Sequence, residues 1–95
     1  MHEQSKDNIV EKLTVFRSRE ILNDNVKMAI LEMLKKHGHS SFGDIVRELG
    51  VSQTAATNHI IELKLLGLIE KKTDPPNFNL NEERYRHLLS FRERQ

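Results

Sequence analysis

With 95 residues, 37% hydrophobic and 31% charged, the chain has room for one compact domain and lies well away from the low-hydrophobicity balance of a disordered protein. It contains no cysteine, which excludes disulfides and thiolate metal sites, and charges interrupt its apolar stretches every few residues, so none is long enough to cross a bilayer. The formal net charge of +1 is neutral evidence on nucleic acid, because phosphate affinity comes from clustered Lys and Arg and not from the total.

The start, Met1 to Asp7, lacks the apolar segment of a secretory signal, so a cytoplasmic location is expected. From about 7 to 22, Ile9, Leu13 and Phe16 recur at helical spacing, with Lys12, Arg17 and Arg19 on the wetter sides, and predict a first helix. Asn23, Asp24 and Asn25 are turn and capping residues, after which Val26, Ile30, Leu31 and Leu34 carry a second helix to a stop at Gly38. His37 and His39 flank that stop and read as structural. Ser41 can cap a short third helix, with Asp44 returning a bond as in a capping box, and this helix buries Phe42, Ile45, Val46 and Leu49 before Gly50. Ser52 caps a fourth, over 53–66, with Ala56, Ile60, Leu63 and Leu66 on one stripe until Gly67. Beyond it, Leu68 to Lys72 and Phe78 to Leu80 suit two strands of a hairpin around Asp74-Pro75-Pro76-Asn77. Asn81 then caps a last helix, about 81–93, whose first turn is acidic (Glu82, Glu83) and whose end is basic (Arg92, Arg94).

The third and fourth helices are joined by Gly50-Val51-Ser52, the spacing of a helix-turn-helix: Gly50 lets the chain turn sharply and Val51 plugs the angle between the helices. The expected fold is therefore mainly α, a winged helix-turn-helix of five helices with a short two-stranded β-wing between helices four and five, one domain over residues 1–95. In such a unit the second helix enters the major groove by its N-terminal half. Here Ser52, Gln53, Thr54, Thr57, Asn58 and His59 are polar; Gln and Asn can bond adenine bidentately, and Thr can meet a phosphate or a thymine methyl. Lys64 further along the helix and Lys71 and Lys72 on the wing are candidates for phosphate neutralisation. The plainer reading of the same polar groups is a solvated helix face.

The run from Val51 to Ile69, Val-Ser-Gln-Thr-Ala-Ala-Thr-Asn-His-Ile-Ile-Glu-Leu-Lys-Leu-Leu-Gly-Leu-Ile, resembles the recognition-helix signature of ArsR-type winged-helix repressors. Lys27 to Leu34 is similar to that family's second-helix segment, and Phe42 to Val46 to its first motif helix. The resemblance implies a homodimer built from the first and last helices, recognition helices in successive major grooves, repression released by a ligand, and DNA contacts from Gln53, Thr54, Thr57, Asn58 and His59. The departures are equally specific. The paired cysteines of the metal-sensing branch are missing from the Asp44–Leu49 helix, and only Glu83 and His87 stand in for ligands on the last helix, where a solvated surface pair is the simpler reading. Neither metal nor cofactor is expected, and no effector is named. The wing is short, with Pro75 and Pro76 at its tip.

There is no glycine-rich phosphate loop, no cysteine nucleophile and no triad spacing, so an enzyme is not expected. Ile9, Leu13 and Phe16 on the first helix and Tyr85, Leu88, Leu89 and Phe91 on the last are more apolar surface than a thin domain easily hides, which predicts a dimer interface of Ile9, Leu13, Phe16, Tyr85, Leu88 and Leu89; the alternative is that both helices pack on their own core. The expected function is a homodimeric regulator, a repressor, reading a pseudo-palindromic operator in double-stranded DNA. The rival is a protein-docking winged helix, for which Ile61 and Leu65, an apolar pair off the main stripe, are the supporting feature.

Overall fold

The computed structural model describes residues 12–73 and 76–92. Among the described residues five helices, α1 (Val15–Leu22), α2 (Asn25–His37), α3 (Phe42–Leu49), α4 (Gln53–Leu65) and α5 (Glu82–Arg92), are accompanied by three strands, β1 (His39–Ser40), β2 (Ile69–Thr73) and β3 (Pro76–Leu80). This is the mainly helical winged helix-turn-helix that the patterning predicts.

Each helix starts where a short polar side chain takes up a backbone N–H left over by the first turn. Thr14 accepts from Arg17, Asp24 from Val26 and Lys27, Ser41 from Asp44, Ser52 from Ala55 and Asn81 from Arg84. Such caps contribute about 0.5–2 kcal/mol apiece. Asp44 also receives the Ser41 backbone N–H, which completes the expected capping box.

The core forms around α2. Its Ile30, Leu31 and Leu34 are inaccessible to solvent, and they share the interior with Ile45 of α3, Leu63 of α4, Leu68 before the wing and Leu88 of α5. Leu13 and Ile21 extend it beneath α1, which packs against α5.

Three expectations need correction. Among the described residues the helix that reaches Leu22 begins at Val15, where the Thr14 hydroxyl caps it, so the continuous helix expected from about residue 7 is interrupted at residues 12–14; Leu13 precedes the cap, and Ile9 lies outside the described residues. Its buried face is Ser18 and Ile21, which leaves Phe16 69% exposed. The expected two-stranded wing between α4 and α5 is present as β2 and β3, but its sheet has a third strand that was not expected: β1 pairs antiparallel with β3, His39 opposite Asn79 and Ser40 opposite Phe78, in the order β1-β3-β2. Two residues carry no readable periodicity, so His39-Ser40 passes for a linker in the sequence. Finally, Leu13, Tyr85 and Leu88 are buried in the core of their own protomer, because α1 and α5 pack on each other; of the residues expected at a dimer interface, Phe16 is exposed and Leu89 half-buried. The Pro75 part of the wing tip lies outside the described residues, and Pro76 opens β3 opposite Thr73.

Candidate nucleic-acid interface

The turn between α3 and α4 is made by Gly50, which adopts φ 68° and ψ 28°, the left-handed conformation that costs an L side chain about 1–2 kcal/mol. Its N–H closes α3 on the Val46 carbonyl at 3.0 Å, and the chain reaches the Ser52 cap two residues later. The second helix of the motif is thereby launched at once, with its first turn projecting from the body.

Around α4, Ala56, Ile60 and Leu63 face the core. At 100° per residue the opposite row is Thr54, Asn58, Ile61 and Leu65, and all four are exposed. The row is polar in its N-terminal half and apolar in its C-terminal half. Gln53 and Thr57 flank the polar half and are also exposed; with Thr54, Asn58 and Phe42 of α3 they line a shallow groove of about 290 Å³. Gln53, Thr54, Thr57 and Asn58 are therefore brought together on one accessible surface. Ser52 adjoins it, with its oxygen committed to the cap of α4. Lys64 is exposed at the far end of the helix.

His59 belongs to another face. Its ring is turned back towards α2, where Nδ1 lies 3.0 Å from the Lys27 ammonium and 3.9 Å from Asp24 Oδ2. Lys27, 7% exposed, also donates to Asp24 Oδ2 at 3.0 Å and pairs with the Glu62 carboxylate. Burial on its own would lower the Lys27 pKa and raise that of Asp24. The bonds and charges that Lys27 shares with Glu62 and Asp24 prevail, and hold Lys27 above the usual lysine value and Asp24 below the usual carboxylate value. Composition and charge do not reveal this cluster. Its signal is positional: Lys27 lies on the helical stripe that continues through Ile30, Leu31 and Leu34, where a lysine needs partners.

On the wing, Lys71 and Lys72 are exposed. Lys71 stands opposite Phe78 and lies over its ring at 5.9 Å, a cation–π contact that steadies the stem while the charge stays in solvent. Glu83 and His87 are exposed on α5, the His87 ring meeting Phe91 edge-on at 5.0 Å, and among the described residues no group of three or more His, Asp or Glu side chains is disposed to hold a metal ion. Nor is any described helix long and apolar enough to cross a membrane.

A family model described as the MarR family matches residues 22–77, from the end of α1 through the helix-turn-helix and into β3, more than half of the chain. No curated protein matches the chain. The family shown is thus MarR, where the recognition-helix spacing pointed to the ArsR type. The chain belongs to the MarR family, and its winged helix-turn-helix is of the kind found in DNA-binding transcription regulators.

Proposed function

We propose that this MarR-family chain is a sequence-specific regulator that reads double-stranded DNA with the N-terminal half of α4. The observation that carries the reading is the exposed, uncharged row of Gln53, Thr54, Thr57 and Asn58 on the second helix of the motif, whose amide and hydroxyl groups match the donor and acceptor pattern of base edges. Lys64, Lys71 and Lys72 supply positive charge for the phosphates on either side. The ArsR-like spacing from Val51 to Ile69 agrees with this use of the helix. His59 takes no part in direct reading, since its ring is engaged by Lys27.

The active form is a cytoplasmic homodimer of single-domain protomers, assembled through the terminal helices and acting as a repressor. Support for the dimer comes from Phe16, an aromatic ring left 69% exposed on α1 beside the α1–α5 packing. A two-fold dimer predicts a pseudo-palindromic operator with half-sites about 10 bp apart or a multiple of that.

Selection of bound duplexes from a random library at two salt concentrations tests the reading, because non-specific binding collapses as salt rises. An enriched palindrome at the higher salt supports it; binding with no enriched sequence removes base reading. The second reading, a protein-docking winged helix, is favoured by Ile61 and Leu65, 48% and 41% exposed on the same helix, and predicts no enriched duplex under either condition.

A further inference from the structure

Hydrophobic burial alone sets the rotation of α4 loosely. Its apolar side chains are spread around the helix: Ile60 and Leu63 face the core, while Ile61 and Leu65 face solvent. With apolar residues on both the buried and the outer side of the helix, burial opposes a modest roll about its axis less steeply than a clean amphipathic stripe would, and such a roll would turn Thr54 and Asn58 away from the outside. A directional constraint is needed to choose between these settings.

The Lys27 ammonium provides one. It has three N–H donors and no acceptor, and it meets three acceptors: Asp24 Oδ2 at 3.0 Å, His59 Nδ1 at 3.0 Å and the Glu62 carboxylate. Asp24 is fixed in turn, since its other oxygen caps α2. Because the ammonium can only donate, His59 accepts through the Nδ1 lone pair in this contact, which leaves the ring N–H on Nε2. His59 and Glu62, three residues apart, flank the core-facing stripe of α4 on one side, so two bonds from a single anchor fix the helix about its axis.

We propose that Lys27 is a positioning residue for DNA reading: by holding His59 and Glu62 it sets the rotation of α4 and so presents Thr54 and Asn58 to the groove. This rests on the DNA-reading assignment above. Lys27 is buried, which leaves its ammonium little access to phosphates, so its removal is expected to act on discrimination rather than on general attraction to them.

The test compares the full-length wild type with Lys27→Met and Lys27→Arg, using a selected duplex and a scrambled one, and follows the His59 ring nitrogens and the α4 amides by NMR. The expected result is that Lys27→Met stays folded, loses its preference for the selected duplex by about tenfold or more, and keeps its scrambled-duplex affinity and salt slope. The Nε2–H signature of His59 is expected in the wild type and lost in Lys27→Met, with part of the preference recovered in Lys27→Arg. An unchanged preference overturns the proposal. So does an equal loss on both duplexes with a lowered melting temperature, which marks a merely structural role, or a shallower salt slope, which marks a phosphate contact. If the wild type itself prefers no duplex, it is the DNA-reading assignment that fails, and the NMR arm decides the positioning: unaltered α4 amides and His59 ring in Lys27→Met overturn it, and shifts running from Thr54 to Leu65 uphold it. Should Lys27→Met fail to fold, Glu62→Gln, at a half-exposed position, carries the same comparison.

Discussion

Asp24 holds Lys27 twice: Oδ1 accepts its backbone N–H at 3.0 Å and Oδ2 accepts its ammonium at 3.0 Å. One carboxylate thus caps α2 and balances the charge buried between α2 and α4. Burial works against the ionised carboxylate, but the backbone and side-chain bonds from Lys27 and the charge of its ammonium outweigh it and hold the Asp24 pKa below 3.8. A lowered carboxylate pKa contributes stability above the unfolded value, and that contribution is lost as pH falls through the folded one. Melting temperature should therefore drop below about pH 3.8, and Asp24→Asn, already less stable at neutral pH, should show a shallower acid limb. On the alkaline side the Lys27 pKa is raised above 10.5, and burial raises that of the Tyr85 phenol above 10.0, so both contributions fade as pH climbs past those values. Lys27→Met should retain the Tyr85 part alone. Thermal unfolding monitored across pH checks both limbs.

Gln53→Ala and Asn58→Ala should each reduce preference for the selected duplex by about 1–3 kcal/mol while leaving the fold intact, since both side chains are exposed and hold no helix together. His59→Ala should act differently: it should lower melting temperature as well, because the ring is half-buried against Lys27. Competition binding beside thermal melts separates the two patterns.

Phe16 and Leu88 make a contrasting pair. Leu88 is fully buried, so Leu88→Ala should cost about 2–5 kcal/mol whatever the oligomeric state. Phe16→Glu, at a position 69% exposed, should change protomer stability by only about 0.5 kcal/mol or less, yet shift size-exclusion or sedimentation profiles towards monomer. An unshifted profile removes Phe16 from the dimer contact.

Gly38 and Gly50 both have open space where a Cβ would project, so substitution there measures backbone strain alone. Gly50, at φ 68° and ψ 28°, sits in the left-handed well that Asn tolerates; Gly38, at φ 87° and ψ −39°, lies outside it. Gly50→Asn should cost well under about 1 kcal/mol and Gly38→Asn more than that, as read by denaturant midpoints.

The helices were legible wherever a cap, an apolar stripe and a glycine stop agreed. Asp24 to Gly38 and Ser41 to Gly50 carry all three, and both helices lie where the residues predict. The first helix was misread because Ile9, Leu13 and Phe16 have helical spacing, while the weaker local event, the Thr14 hydroxyl taking the Arg17 N–H, decides where the helix starts. Strand β1 was illegible because its partner β3 is about forty residues away and pairing leaves no trace in a two-residue segment. The exposed polar row of α4 could be read from periodicity, but the direction of His59 could not. Its spacing allows either the outer face or the α2 side, and the choice depends on where Lys27 arrives from another helix.

Among the described residues the three-stranded sheet ends in two edge strands, and backbone groups on such edges invite pairing with other chains. One edge is β1, only two residues long and too short to serve as a template. The other is β2, whose Glu70-Lys71-Lys72 run is exposed and places neighbouring charges along the border. Charged side chains, lysine above all, along an exposed edge strand disfavour a continuous intermolecular sheet. On that ground Lys71 and Lys72 have a use independent of any nucleic acid, and replacing both with apolar β-formers should raise the tendency of this edge to self-associate.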